Sequence, residues 1–217
     1  IQFSSLGEAS QAKLGGWSLP YAIVPNSLSD EDLIKNQGRA PAKLNLTKNK
    51  NNVLFLGRLN YIKGLDILIM AWEKVCKKIP DAVLIVAGPD DNNYKTHLDK
   101  LILAYKLNEN IIFTGMVNQS EKIELFRGCS VFVSTSYLES FGMAIVEAMA
   151  FKIPTVVSER VNLSPEIKKY KAGLVTSLDP KEISEAIISL LSNITFADEI
   201  AQNGYTFVQQ NFRSGMV

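Results

Sequence analysis

Short apolar runs that end in Gly, Ser or Thr recur along the chain, and no other feature constrains its fold as much. These runs are rich in β-branched residues and lack polar alternation, which is typical of strands buried on both faces. The runs are VLFLG (53–57), AVLIVAG (82–88), NIIFTG (110–115), VFVSTS (131–136), TVVS (155–158) and GLVTS (173–177). They predict a parallel sheet of about six strands.

Helical patterns fill the intervals between these runs. The segment GLDILIMAWEKVCKKI places Leu65, Leu68, Ile69 and Trp72 on one face, and Pro80 marks its end. Similar patterns occur in NYKTHLDKLILAYKL, SEKIELFRGC, GMAIVEAMA, PKEISEAIISLLS and ADEIAQNGYTFVQQNF. The alternation predicts an α/β fold, a doubly wound, Rossmann-like parallel sheet with helices on both faces. In such a sheet a ligand is expected at the carboxyl ends of the strands.

Composition and charge argue against several classes of protein. The 217 residues include 23 basic and 22 acidic side chains, so the net charge is +1 and nothing indicates a nucleic-acid partner. No apolar run approaches the ~20 residues that span a bilayer. The two cysteines favour a reduced, cytoplasmic setting over secretion, although four Asn-x-Ser/Thr sequons occur. Because the chain begins with IQFSS, without an initiator methionine, we expect it to be part of a longer protein.

Two cations lie close to the first predicted strand and helix. Arg58 follows Gly57 at the end of the strand, and Lys63 precedes Gly64 at the start of the helix. A planar Arg fork and a mobile Lys beside a helix amino terminus form a positive site for an anion. The alternative is that both residues only occupy turns. Neither G-x-G-x-x-G nor G-x-x-x-x-G-K-[ST] occurs, which disfavours a dehydrogenase-type dinucleotide site and a P-loop.

The stretch LESFGMAIVEAMA follows the fourth predicted strand and brings two carboxylates to the same edge of the sheet. Glu139 is expected in a loop and Glu147 about one turn into the following helix. The N–H groups of Met143 and Ala144, at the start of that helix, would be free to bind phosphate or hydroxyl oxygens. Carboxylates accept hydrogen bonds from vicinal sugar hydroxyls. The alternative is a solvated loop residue followed by an ordinary helix-forming residue.

Taken together, these segments resemble the donor-binding half of the family-4 retaining glycosyltransferases, which have the two-domain GT-B fold. The resemblance covers about residues 53–212 in order and spacing. It rests on GRLNYIKGLDILIMAW, LIVAGPDD, IIFTGMV, LFRGCSVFVSTSYLESFGMAIVEAMAFKIPTVVS and SPEI…AGLV. The chain departs from the family at Ser27, where a glycine is frequent, and in RVNLSPEI, which lacks a frequent Gly-Gly pair.

The resemblance implies a role for each matching residue. Arg58 and Lys63 would bind the donor diphosphate and neutralise the leaving group. Glu139, the first glutamate of the E-x7-E motif, would contact the transferred sugar near the reacting carbon, and Glu147 would hold the ribose hydroxyls. Other implied substrate-binding residues supply the turn, the backbone donors and the loop that receives the base. They are Gly57, Met116, Val117, Phe141, Gly142, Met143 and Ala144.

The resemblance also implies an organisation and an activity. Residues 26–217 would form the carboxyl-terminal nucleotide-sugar-binding domain, with its core at 53–212, and residues 1–25 the end of an amino-terminal acceptor domain and the interdomain link. The full enzyme would be a hexosyltransferase-type glycosyltransferase that transfers a sugar to a hydroxyl of a glycan or lipid-linked acceptor. It would use no metal and no cofactor beyond the nucleotide-sugar donor. The full protein would be cytoplasmic, with peripheral membrane association left open, and the chain alone would be inactive. Two alternatives stay open: a non-catalytic nucleotide-binding module and a GT-B-like sugar-nucleotide epimerase.

Overall fold

A computed structural model describes residues 51–212, together with residues 2–3, 13, 15–16 and 22–23. Near the amino terminus, Gln2–Phe3 and Ala22–Ile23 pair as two short parallel strands. The second of these lies in YAIVPNSLSDEDL, where the sequence indicates a short strand. The polar, basic segment RAPAKLNLTKNKNN has the composition of a loop or linker, and most of it, like Ser27, lies outside the described residues. The boundary predicted at residue 26 therefore stays a prediction.

The main sheet has six strands, and every neighbouring pair is parallel. The strands are β1 (Asn52–Leu56), β2 (Val83–Ala87), β3 (Ile111–Gly115), β4 (Val131–Ser134), β5 (Thr155–Ser158) and β6 (Leu174–Thr176). Their spatial order is β3-β2-β1-β4-β5-β6. The predicted parallel sheet is confirmed. The order of connection reverses between β1 and β4, and this is the position at which open α/β sheets bind ligands.

The helices predicted from apolar periodicity are all present. They are α1 (Leu65–Lys78), α2 (Tyr94–Ala104), α3 (Gln119–Gly128), α4 (Met143–Ala150), α6 (Pro180–Ser192) and α7 (Ile194–Asn211). A further helix, α5 (Ser164–Lys169), was not predicted because its six residues are too few to show a period. A 3₁₀ turn, Tyr61–Lys63, precedes α1.

Side-chain caps fix where several helices begin. Asn118 and Glu121 form a reciprocal capping box at the start of α3. Asp179 accepts a hydrogen bond from the Lys181 N–H at 2.9 Å, and Pro180 occupies the first turn of α6. These caps satisfy N–H groups that have no partner within the helix, so the amino ends of α3 and α6 are fixed by local sequence.

The core has two apolar layers, one on each face of the sheet. On one face α1, α2 and α6 cover the strands, and on the other α3, α4 and α5 cover them, while α7 contributes side chains to both layers. Trp72 of α1 is fully buried in the first layer, as its place on the predicted apolar face indicates, and its indole Nε1–H donates to the Asn110 carbonyl at 3.1 Å. Among the described residues, no helix is both long and apolar enough to cross a membrane.

The carboxyl ends of the strands form one edge of the sheet. Gly57, Gly88, Gly115 and Ser136 lie at or just beyond the ends of β1, β2, β3 and β4, as the sequence predicts. Gly88 has φ +144°, and a Cβ placed on it would overlap the Gly57 carbonyl oxygen. The backbones after β1 and β2 thus approach each other more closely than any other residue would allow.

Candidate active site

A cavity of about 360 Å³ opens at this edge between β1 and β4. Apolar side chains of the two strands and of α4 form part of its wall, and two lysines and two glutamates face its interior. The lining residues are Phe55, Leu56, Gly57, Lys63, Lys122, Phe132, Ser134, Ser136, Glu139, Gly142, Met143, Ala144, Ile145 and Glu147. The cavity therefore lies at the switch point of the sheet and combines apolar walls with a few charged groups.

Lys63 and Glu139 form an ion pair at one side of the cavity. Lys63 ends the 3₁₀ turn, which Asn60 caps by accepting the Ile62 N–H at 2.9 Å. Glu139 lies in the loop after β4, where its carbonyl accepts the Asn162 N–H at 2.9 Å. The Lys63 Nζ contacts Glu139 Oε2, and both side chains are partly buried. The two residues that the sequence predicts near the diphosphate and the sugar are thus adjacent.

Tyr137 joins the turn that carries Lys63 to the loop that carries Glu139. Its N–H donates to the Ile62 carbonyl at 2.8 Å, and its ring stacks on Tyr61 with centroids 4.9 Å apart. Its hydroxyl donates to Asp66 Oδ2 at 3.0 Å, and burial together with the Asp66 charge raises the pKa of this phenol. These contacts fix the position of the 3₁₀ turn relative to the loop after β4.

Replacing Tyr137 with Phe is expected to lower the free energy of unfolding by about 1–3 kcal/mol, because Asp66 Oδ2 loses its donor. The other oxygen, Oδ1, is already buried without a hydrogen-bond partner. Urea denaturation of the variant measures the loss. Tyr61→Phe is the matched control, since it removes the hydroxyl of a side chain that is 63% exposed. Equal stability of both variants would contradict a structural role for the Tyr137 hydroxyl.

Glu147 forms a second ion pair that lines the cavity, with Lys122. It is the fifth residue of α4, one turn into the helix as predicted. Its Oε1 lies 2.7 Å from the Nζ of Lys122 on α3. Lys122 was not predicted from the sequence, because a lysine in a polar helical segment carries no local signal of a partner 25 positions away. The cavity thus holds two cations and two carboxylates.

The amino terminus of α4 also lines the cavity, and in the chain it lies between Glu139 and Glu147. Gly142 has φ +82° and caps this helix without a side-chain hydrogen bond. The Gly142 carbonyl accepts the Ile145 N–H at 2.8 Å, while the N–H groups of Met143 and Ala144 donate to no group within residues 51–212. Free N–H groups at a helix amino terminus favour the binding of an anion.

Four of the residues predicted to bind substrate do not line this cavity. Arg58 is 66% exposed, and its Nη1 lies 3.7 Å from Asp91 Oδ2. Met116 is exposed, and Val117 packs partly against the core. Phe141 is buried and meets Phe212 edge-to-face, with ring centroids 5.5 Å apart. Phe141 therefore anchors the turn before Gly142 to the core.

Metal ligation and thiol chemistry find little support in the described residues. Within residues 51–212, no cluster of three or more His, Cys, Asp or Glu side chains could hold a metal ion. An Asp-x-Asp triplet, 30–32, lies outside the described residues, so metal independence stays a prediction. Burial raises the pKa of Cys76 to about 12 and also raises that of Cys129, so neither thiol is a nucleophile at neutral pH.

Comparison with known proteins identifies the family. The family described as Glycosyl transferases group 1 matches residues 36–207. The chain belongs to the group 1 glycosyltransferases. An uncharacterized glycosyltransferase of Methanocaldococcus jannaschii is 32% identical over 161 residues, which are 74% of this chain and 40% of that protein.

Solved structures of other proteins place this group 1 chain in the GT-B fold. Sucrose-phosphate synthase of Thermosynechococcus elongatus matches 98% of the chain at a TM-score of 0.83 and 24% identity. Anabaena HepE, crystallised with UDP and glucose, matches 98% of the chain at a TM-score of 0.81 and 22% identity. The chain spans 54% of the first protein and 59% of the second, which corresponds to one Rossmann-like half of a GT-B fold.

Proposed function

We propose that this chain is the donor-binding half of a retaining glycosyltransferase, which transfers a sugar from a nucleoside diphosphate to a hydroxyl group. The observation that carries the proposal is the cavity between β1 and β4. There Lys63–Glu139 and Lys122–Glu147 flank the free N–H groups at the start of α4. An anionic diphosphate suits the N–H groups and the lysines, and the sugars on either side of it suit the two carboxylates.

Glu147 is assigned to the ribose. Its Oε1 is held by Lys122, and its remaining lone pairs can accept hydrogen bonds from the vicinal 2′- and 3′-hydroxyls. Lys122 fixes the position of this carboxylate before the nucleotide arrives. Preorganisation of this kind reduces the entropy lost on binding.

Lys63 and Glu139 are assigned to the reacting end of the donor. In the reaction, the bond between the anomeric carbon and the diphosphate oxygen breaks, a bond to the acceptor oxygen forms, and the proton of the acceptor hydroxyl passes to the departing diphosphate. Negative charge grows on the departing diphosphate, where the Lys63 ammonium and the α4 N–H groups would stabilise it. Glu139 would contact the transferred sugar, and Arg58 would join the diphosphate after leaving Asp91.

The proposal extends to the class of donor and to the rest of the protein. Crystal structures of HepE hold UDP or UDP-glucose, which supports a nucleoside diphosphate sugar as the donor class. Met116 and Val117 follow β3 and would receive the base. We infer an acceptor-binding domain beyond this chain, a glycan or lipid-linked acceptor, and a cytoplasmic or membrane-peripheral setting. The reaction would use neither a metal nor a further cofactor.

Calorimetry with UDP and 2′-deoxy-UDP tests the assignment of Glu147. The wild-type chain is expected to bind UDP more tightly than 2′-deoxy-UDP. Glu147→Gln should weaken UDP binding about 10- to 100-fold, the loss typical of a charge-assisted hydrogen bond. It should also reduce the preference for the ribose, because an amide oxygen accepts hydrogen bonds more weakly than a carboxylate. A variant that keeps the full preference would exclude Glu147 from the ribose site.

The same titration of Glu139→Gln provides the matched control. This variant is expected to retain or improve UDP binding, because Lys63 is released from its partner. It should weaken the binding of only those nucleotides that carry a sugar, such as UDP-glucose. A comparable loss for UDP and UDP-glucose would contradict the separate roles of the two carboxylates.

The two alternatives predict other outcomes in an assay of the longer protein with a labelled nucleotide sugar. A non-catalytic module leaves the donor intact, and an epimerase changes the configuration of the sugar without any acceptor. Transfer that requires an added acceptor supports the proposal. Transfer by the 217-residue chain alone would contradict the inferred need for an acceptor-binding domain beyond it.

A further inference from the structure

A second cavity, of about 280 Å³, lies beside the first and shares no lining residue with it. It is formed where the segment after β1 meets the segment after β2. The Leu59 N–H donates to the Pro89 carbonyl at 2.9 Å, and the Asp91 N–H donates to the Leu59 carbonyl at 3.1 Å. The cavity is lined by Asn60, Tyr61, Ile62, Asp91, Asn92 and Tyr94. It therefore occupies the same carboxyl edge of the sheet as the first cavity, the proposed donor cavity between β1 and β4.

An aromatic platform forms one wall of this cavity. One face of the Tyr61 ring stacks on Tyr137, yet Tyr61 remains 63% exposed, so its other face is open to solvent. Ile62 beside it is exposed as well. An exposed aromatic face suits the C–H groups on one face of a sugar ring, since both surfaces are apolar.

Fixed polar groups form the other wall. The Asn60 and Asn92 amides each donate to a different oxygen of Asp91, both at 3.2 Å. Asn92 and Asn93 have φ of +55° and +57°, a left-handed conformation that Asn tolerates better than most residues. The Tyr94 ring completes this wall, while burial and the Asp66 carboxylate raise the pKa of its phenol to about 12. The two amides and the carboxylate together offer both donors and acceptors, as hydroxyl groups require.

We propose that this second cavity binds one neutral sugar unit of the glycan acceptor. Its assignment to the acceptor rests on the proposed function, whereas sugar binding as such does not. Arg58 lies 3.7 Å from the Asp91 carboxylate, so the charges are balanced at this position and the cavity suits a neutral ligand. Tyr61 and Lys63 belong to one 3₁₀ turn, and Tyr137 is two residues from Glu139, so a bound sugar would lie next to the donor cavity.

Nuclear magnetic resonance of the 217-residue chain tests the inference. The probes are neutral disaccharides of mannose, glucose and galactose, added with and without saturating UDP. At least one disaccharide is expected to cause saturable amide shifts at Tyr61 and Asn92, and UDP should not abolish them. Tyr61→Ala should weaken the binding about tenfold or more, while Tyr61→Phe, which keeps the ring, should retain it.

A further variant tests the contribution of the polar wall to sugar binding without a change in the fold. Asn92→Gly is compatible with the left-handed backbone and removes the side chain with its amide, so it should weaken sugar binding while UDP binding stays unchanged. Absence of saturable shifts with every disaccharide would overturn the inference, as would shifts that persist in Tyr61→Ala or that UDP displaces. If sugars bind and UDP does not, the proposed donor site fails and the sugar site stands. If UDP binds and no sugar does, only this inference fails.

Discussion

Gly88→Ala is expected to lower the free energy of unfolding by about 3 kcal/mol or more, because two penalties coincide. The backbone at φ +144° strains any residue with a side chain, and the added Cβ would overlap the Gly57 carbonyl oxygen. That oxygen belongs to the backbone, so the overlap is relieved only by separating the ends of β1 and β2. Gly57 also lines the proposed donor cavity, and UDP affinity should fall along with stability.

Gly115→Ala is the matched control, because it makes the same change at the end of the neighbouring strand β3. Gly115 also has a positive φ, +72°, but a Cβ there would have no neighbour within 4 Å. The expected loss is about 1–2 kcal/mol, the strain of a left-handed backbone alone. Urea denaturation of the two variants gives the loss of unfolding free energy in each. Equal destabilisation would mean that the close approach of the two strand ends contributes nothing beyond the dihedral strain.

Lys63→Met is expected to weaken UDP binding about 10- to 100-fold, because a charge-assisted contact to the diphosphate is lost. Met retains much of the apolar stem of the side chain, so the change acts mainly on charge. Lys77→Met is the charge-matched control, since Lys77 is an exposed residue at the other end of α1 and pairs with Glu73. Calorimetry with UDP should detect a loss only in the first variant. Equal affinities in both variants would exclude Lys63 from the diphosphate site.

Arg58 provides a second, independent test of the same anion site. Because Arg58 lies near Asp91 and outside the cavity, its contribution requires a movement of the side chain toward the diphosphate. Arg58→Met should therefore weaken UDP binding, whereas Asp91→Asn should leave it unchanged or improve it by releasing the guanidinium. An Arg58→Met variant with full affinity for UDP would restrict the site to Lys63 and the α4 N–H groups.

The sheet and its ligand edge were predictable because their signals are local. Uninterrupted β-branched runs indicate buried parallel strands, and the residue that follows each run must lie at the carboxyl edge. Glu139 and Glu147 were predictable for the same reason, since a strand end and a helix start fix where each carboxylate lies. Helix α5 was not predictable, because one and a half turns show no periodicity.

The partners of these residues were not predictable, because they depend on contacts between distant segments. Lys122 reaches Glu147 from a different helix, and nothing in its own segment distinguishes it from a solvated lysine. The orientation of Arg58 depends on Asp91, which lies on the next strand connection. The buried environment of Asp66, with Tyr137 as its donor, likewise appears only when the sheet brings β1 and β4 together.

The connection through Tyr137 has a consequence for the motion of the two segments that it joins. The turn with Lys63 and the loop with Glu139 share the Tyr137–Ile62 hydrogen bond, and the Thr135 hydroxyl donates to the Gly64 carbonyl at 2.9 Å. Local opening of either segment must break these shared bonds, so both open together as one cooperative unit. A ligand held at only one of the two residues therefore slows hydrogen exchange in both segments.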